Sequence, residues 1–262
     1  MKFITALITA LILPFSATAQ TVIPLEQTYG LYNAYVIPLR DRSRIDVQLV
    51  VLSGSYDEGE ISGVAHYTEH LAALYSDTKV LQQPRQRDLN AFTSKVSTVY
   101  ANTGSPNEID RIMKLTRAVL DTPALSDAFQ QSEIDIVKRE VLYKERNAPG
   151  RWLRRLSVQK LYDSKTGRAD EPVADLDKIT VQAALDFHTK NYQPSNVMII
   201  ISGDIDQKTA QAKLTQYFGD TVKTARVPDT WLDDHPDPDL RSVTRISSPR
   251  LLENSIAYTK FF

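Results

Sequence analysis

The chain contains no cysteine. That excludes disulfides, thiolate metal sites, cysteine nucleophiles and a lipid anchor on cysteine, so any bound metal must be held by histidine and carboxylate. It also lacks an excess of charge. Lys and Arg number 31 against 32 Asp and Glu, a formal net charge of −1, and this balance gives no pointer to nucleic acid or an anionic membrane. It lacks a membrane span: the one mainly apolar opening stretch, Phe3 to Phe15, falls short of the roughly 20 residues a span requires. There is no internal repeat and no low-complexity tract. What remains is the composition of an ordinary globular protein, 42% hydrophobic and 24% charged in 262 residues, enough for one large domain or two small ones.

The opening residues have the pattern of an export signal. Lys2 gives a positive start, Phe3 to Phe15 an apolar core, and Ala17-Thr18-Ala19 a small-x-small cleavage site. Residues 1–19 are read as a signal peptide, with a mature chain starting at Gln20 that is exported, and periplasmic if the source is a Gram-negative bacterium.

Hydrophobic periodicity then gives strands and helices in mixed order. Leu31 to Leu39 and Arg44 to Leu52 read as strands, the second from the alternation of Ile45, Val47, Leu49 and Val51 with Asp46 and Gln48. The short Asp41-Arg42-Ser43 turn predicts that they pair as a hairpin. A helix is expected from Ser62, as N-cap, to Leu74, followed by a polar loop or weak helix over Asp77 to Arg87. Strands follow at 89–95 and 97–103. Ser105-Pro106-Asn107-Glu108 is a capping box with proline at the first helical position. It opens a helix with Ile109, Ile112, Met113, Thr116, Val119 and Leu120 on its buried stripe. Further helices are predicted at Asp127 to Asn147, Trp152 to Tyr162, Thr180 to Asn191 and Gln207 to Phe218, the last ended by Gly219. The apolar run Val197 to Asp204 reads as a central strand covered on both faces. Residues 221–249 are rich in Pro and Asp and read as a linker. This order predicts an α+β fold, a mostly antiparallel sheet covered by helices.

Chemistry concentrates in His66-Tyr67-Thr68-Glu69-His70. Positions i and i+4 share a helix face, so His66 and His70 are spaced to chelate one metal ion. Glu69 lies at the edge of that face, near enough to act on a metal-activated water without being a ligand. The order H-x-x-E-H inverts the commoner zinc helix. Spacing alone also admits a solvated helix face with no metal. Downstream, Glu133, Glu140 and Glu145 are candidates for a further ligand, and spacing does not choose among them; Glu133 and Glu140, seven apart, share a face. Of the other two histidines, His188 beside Phe187 reads as structural and His235 as solvated. Arg146, Arg151, Arg154 and Arg155 read as a solvated helix face.

Several motifs recur in one order: Gly54-Ser55-x-x-Glu58, Gly63-x-Ala65-His66-x-x-Glu69-His70-Leu71, Asn90-Ala91-Phe92-Thr93, Glu133-x-x-x-Val137-x-x-Glu140, Tyr192-x-Pro194-x-Asn196, Gly203-Asp204 and Tyr217-Phe218-Gly219. This set resembles the inverzincin metallopeptidases, the group of pitrilysin, insulin-degrading enzyme and mitochondrial processing peptidase. The resemblance implies one pitrilysin-like zinc-binding peptidase domain over residues 20–220. It implies Zn2+ held by His66, His70 and Glu140, with Glu69 as general base and Glu133 near the metal without binding it. It implies a substrate-binding edge strand at Asn90, Ala91, Phe92 and Thr93, to which an extended peptide adds through backbone hydrogen bonds. Arg87, Asp88 and Leu89 stand where the family has glycines before that strand. Family subunits join two such halves, so residues 250–262 read as the start of a second half, and a second half or an oligomeric partner is expected. The function implied is an exported zinc metalloendopeptidase acting on peptides or unfolded segments. The alternative is a truncated, non-catalytic homologue that binds peptide or a partner chain.

Overall fold

The computed structural model describes residues 21–39, 43–82, 89–147 and 173–225. The expected signal peptide, the helix at Trp152 to Tyr162, the loop at Ser164 to Pro172, His235, most of the linker and the strand from Leu251 lie outside the described residues.

Among the described residues six strands form one sheet: β1 (Ile23–Pro24), β2 (Asn33–Pro38), β3 (Ile45–Val51), β4 (Leu89–Thr93), β5 (Thr98–Gly104) and β6 (Val197–Gly203), in the spatial order β1-β2-β6-β3-β5-β4. All neighbours are antiparallel except β2 and β6, which run parallel. The described residues add five α-helices: α1 (Val64–Leu81), α2 (Ile109–Ala118), α3 (Asp127–Asn147), α4 (Val181–Asn191) and α5 (Gln207–Phe218). The α+β class is as expected; the local topology corrects it in one place. The predicted β2–β3 hairpin does not exist, because β6 inserts between the two strands and pairs with both. Its apolar run, Val197 to Ile201, makes it the better partner for two half-apolar strands than either is for the other.

That apolar run was expected to be covered on both faces. Instead β6 alternates: Val197, Ile199, Ile201 and Gly203 are buried, whereas Met198, Ile200 and Ser202 are half-exposed. The buried face joins Ile45, Val47, Leu49 and Val51 of β3 and Tyr100 of β5 in a core shared with the helices. The opposite face carries a polar groove lined by Arg44, Asp46, Gln48, Thr103 and Ser202, in which Asp46 accepts from Arg44 at 2.9 Å and from Thr103 at 2.6 Å.

The helices follow their signals closely. Ser105 donates its backbone N–H to Glu108 at 2.9 Å, the expected capping contact, although Pro106–Glu108 is a 3-10 turn that leads into α2. Thr180 caps α4 by accepting from the Ala183 N–H at 3.1 Å, and Asp206 caps α5 by accepting from Thr209 at 2.7 Å. The exception is α1. Its N-cap is Gly63, at φ +93°, in place of Ser62, and it continues to Leu81, through residues expected to form a loop. A carboxylate five residues upstream of Gly63 does the capping. Glu58 accepts from the Gly63 N–H at 3.0 Å and the Ala65 N–H at 2.8 Å, which satisfies two orphan donors and places negative charge at the positive helix end.

Candidate metal centre

α1 is buried on nearly all sides, and that burial fixes the orientation of its polar residues. Its hydroxyls tie it to three neighbours: Tyr67 donates to the Gln130 carbonyl of α3 at 3.0 Å, Thr68 to the Ala184 carbonyl of α4 at 3.2 Å, and Ser76 to the Leu115 carbonyl of α2 at 2.8 Å. A helix held by three others and a sheet cannot rotate about its axis without breaking buried hydrogen bonds. His66 and His70 are therefore presented toward α3, while the Glu69 carboxylate meets Thr93 of the strand β4.

On α3, Glu133 and Glu140 both face α1, two turns apart, as their spacing predicts. They take different parts. Glu140 Oε2 lies 3.5 Å from His66 Nε2 and 3.9 Å from His70 Nε2, and the donor atoms of His66, His70 and Glu140 all fall within 4.8 Å of one another. A tetrahedral zinc about 2.0–2.1 Å from each donor would set them roughly 3.3 Å apart, so small side-chain adjustments suffice for the three to share an ion. Glu133 Oε2 instead accepts from His70 Nδ1–H at 2.9 Å. A carboxylate on Nδ1 fixes the tautomer and turns the lone pair of Nε2 toward Glu140, the arrangement expected behind a histidine ligand. The two imidazoles stand edge to face, with centroids 4.9 Å apart.

The electrostatics treat the carboxylates differently. Glu140 is pulled down to about 2, first by its hydrogen bond from His66 and against the cost of partial burial, with His70 and Lys144 adding to the effect. Glu133 is 3% exposed; burial pushes the nearby Tyr67 phenol up to about 12, with the charge of Glu133 adding to it. Glu69, 5% exposed, is shifted the other way. Burial raises it above the ordinary glutamate range, opposed by His66, by a hydrogen bond from Thr93 and by His70. A buried carboxyl raised above its ordinary range beside two imidazoles is in an environment suited to proton transfer.

The proposed substrate strand is β4, the last strand of the sheet order, so its outer edge has no strand partner among the described residues. Its residues divide by strand alternation. Ala91 pairs with buried Tyr100 on the helix-facing side and packs against the core, and Thr93 on the same side donates to Glu69 Oε2 at 2.7 Å. Asn90 and Phe92 point to the other face, where Asn90 borders the polar groove and Phe92 is 53% exposed. Sequence reasoning grouped these four as one substrate contact; the geometry separates Thr93, whose hydroxyl belongs to the Glu69 carboxylate. It also gave no role to Glu58, to Tyr67, or to the buried pair Tyr100 and Tyr192, whose hydroxyls meet at 2.7 Å. Strand parity could have placed Thr93 beside α1, but no spacing rule reports that Glu58 folds back over the helix start.

Comparison with known proteins places the chain in one family. The model of the insulinase family, peptidase family M16, matches residues 39–166, and that of the M16 inactive domain matches residues 178–255. The probable zinc protease PqqL of Haemophilus influenzae is 28% identical over 199 residues, which cover 67% of this chain but 20% of that protein. A protease from Helicobacter pylori superposes with a TM-score of 0.70 at 20% identity, over 83% of this chain and 55% of that one. The first half of the periplasmic protease PqqL from Escherichia coli gives 0.62 at 21% identity, over 79% of this chain and 48% of that one. The chain thus spans about a fifth of the length of its PqqL relative, and the structural likeness is one of fold. With both family models in sequence order, and with relatives named as zinc proteases, the chain belongs to the insulinase or pitrilysin family of peptidases, family M16.

Proposed function

We propose that this chain carries the zinc-binding catalytic domain of an exported metalloendopeptidase that cuts peptides or unfolded segments. The observation that carries the reading is the convergence of His66, His70 and Glu140 beside a buried Glu69. In this reading His66 Nε2, His70 Nε2 and Glu140 Oε2 hold the metal, and Glu133 holds His70 in its ligating tautomer. A zinc ion held there would supply Lewis-acid polarisation of the scissile carbonyl and a lowered pKa for water. Glu69 takes the proton of the attacking water and returns it to the leaving amine. The outer edge of β4, with Asn90 and Ala91 in its run, takes the substrate backbone as an added strand. Family membership and the resemblance to one half of a PqqL protease support a second half, in the same polypeptide or a partner, that closes over the substrate. The relative named periplasmic, together with the signal-like residues 1–19, supports export; no helix among the described residues is long and apolar enough to cross a membrane.

A second reading is a binding chain without turnover, favoured by the match of residues 178–255 to the family's inactive domain. Two measurements separate these readings. Purified chain should retain close to one zinc per molecule, and His66→Ala should retain almost none. Peptide hydrolysis should fall by about 100-fold or more in Glu69→Gln, with zinc content kept, as loss of a general base requires. Zinc without hydrolysis in either chain would favour the binding reading; no zinc would overturn the peptidase reading.

A further inference from the structure

We infer that Thr93 is a positioning residue for Glu69, and that the Gly54-to-Glu58 segment exists to hold the two elements that carry them in register. The inference rests on Glu69 being the general base. Thr93 ends the edge strand β4, and its hydroxyl donates to Glu69 Oε2 at 2.7 Å. Glu69 is buried, so without that donor its carboxylate would be free to swing among several rotamers in a poorly solvated site. A charge-assisted bond of this length fixes one oxygen. The other, Oε1, is left to receive and pass on the proton. Buried carboxylates held by one hydroxyl are pre-oriented at little entropic cost, because threonine has few rotamers to lose.

The register of this contact is set from a third place. Thr93 reaches Glu69 only if the β4–β5 turn is pinned against the start of α1, and the Gly54-to-Glu58 segment does the pinning at both ends. Ser55 N–H donates to the Ser94 carbonyl at 3.0 Å and Tyr56 N–H to the Lys95 carbonyl at 2.9 Å. Two residues on, the Glu58 carboxylate takes the Gly63 and Ala65 amides at the start of α1. Gly54 lies so close to the turn that a Cβ there would stand 2.3 Å from the Ser94 carbonyl oxygen. One short segment thus grips the residue after Thr93 and the helix of Glu69. Since β4 is also the edge to which a peptide would add, strand addition would stiffen the residue that orients the base. That gives peptide docking a direct route to the geometry of proton transfer.

Thr93→Val removes the hydroxyl and keeps shape and strand preference; Thr93→Ser keeps the hydroxyl. With the full chain and a peptide substrate, Thr93→Val should lower kcat by about 10- to 100-fold, the scale of losing precise orientation of a catalytic group. KM should stay within about twofold and zinc content should be unchanged, and Thr93→Ser should recover most of the rate. A second readout needs no turnover. In thermal unfolding, Thr93→Val should lower the midpoint in the wild-type background but not in a Glu69→Leu background, where there is no carboxylate to bond. Wild-type kcat in Thr93→Val, an effect confined to KM, or additive midpoint shifts would each overturn the inference. If Glu69→Gln itself keeps full activity, the reading of Glu69 as base fails instead, and the unfolding cycle still reports whether the contact exists.

Discussion

At the scale of single residues, the site is organised by which nitrogen of His70 faces which glutamate. Both α3 carboxylates are within reach of α1, yet only Glu140 lies opposite two Nε2 atoms, whereas Glu133 meets Nδ1 at 2.9 Å. In the proposed site this separates a ligand, Glu140, from a group that aims a ligand, Glu133, a distinction that heptad spacing on α3 could not make. It also sets an order of effects. Glu133→Ala should weaken zinc binding by about 10- to 100-fold, the usual loss when the partner behind a histidine ligand is removed. Glu140→Ala removes a donor and should cost considerably more. Competition against a chelator of known affinity reads both. Equal losses in the two variants, or none in Glu133→Ala, would mean that the His70 tautomer is set in another way. His188 shows the opposite fate for a histidine. Stacked on Tyr192 at 4.3 Å, with Nε2 3.0 Å from the Val119 carbonyl, it is a core residue, as its neighbour Phe187 led us to expect.

At the scale of elements, what the sequence announces and what it conceals divide along a physical line. Local signals were legible: α3 spans Asp127–Asn147 as expected, and Pro, Ser, Thr and Asp mark the helix starts at 105, 180 and 206. The start of α1 was not, because its cap is a side chain from another turn, and its polar C-terminal turns are stabilised by tertiary partners such as Ser76 to Leu115. The same holds for the glycine that opens the motif Gly54-Ser55-x-x-Glu58. Its value lies in a contact with a turn 40 residues away. A methyl group there must displace the Ser94 and Lys95 backbone, whereas a methyl at Gly59 meets nothing within 4 Å. Gly54→Ala should therefore destabilise the fold by about 1–3 kcal/mol, the range for overpacking a tight contact, and Gly59→Ala should leave it nearly unchanged. Urea unfolding of the two variants tests this, and similar midpoints for both would show that the turn can yield without cost.

At the scale of the whole molecule, the sheet order was the least legible feature, since pairing of β6 between β2 and β3 depends on chain returning from about 150 residues away. Nothing local to Asp41-Arg42-Ser43 reports that competitor. Once the sheet closes this way, the elements at its buried end share a core in which His188 is buried. Burial lowers its pKa below the ordinary value of 6.5, only partly offset by the Val119 carbonyl and by Asp121. Asp121 is itself committed to Lys79 at 2.8 Å and Arg117 at 3.2 Å, and the other groups against the ring are the neutral phenols of Tyr192 and, beyond it, Tyr100. The sign follows. Above about pH 6.5 the imidazole is neutral in both folded and unfolded chains and contributes no pH dependence. As pH falls below that value the unfolded chain takes up a proton that the folded chain refuses, so stability drops, by at most about 1.4 kcal/mol per pH unit from this one group, until the depressed folded pKa is reached. His188→Gln keeps a donor for the Val119 carbonyl and does not titrate. The difference in unfolding free energy between wild type and this variant should therefore shrink or reverse in favour of the variant from neutral pH down to about pH 5. Carboxylates such as Glu69 and Glu140 titrate in both chains and cancel from that difference. Parallel pH profiles for the two chains would show that the imidazole is free to protonate in place, and that the core around α4 opens to water at no measurable cost.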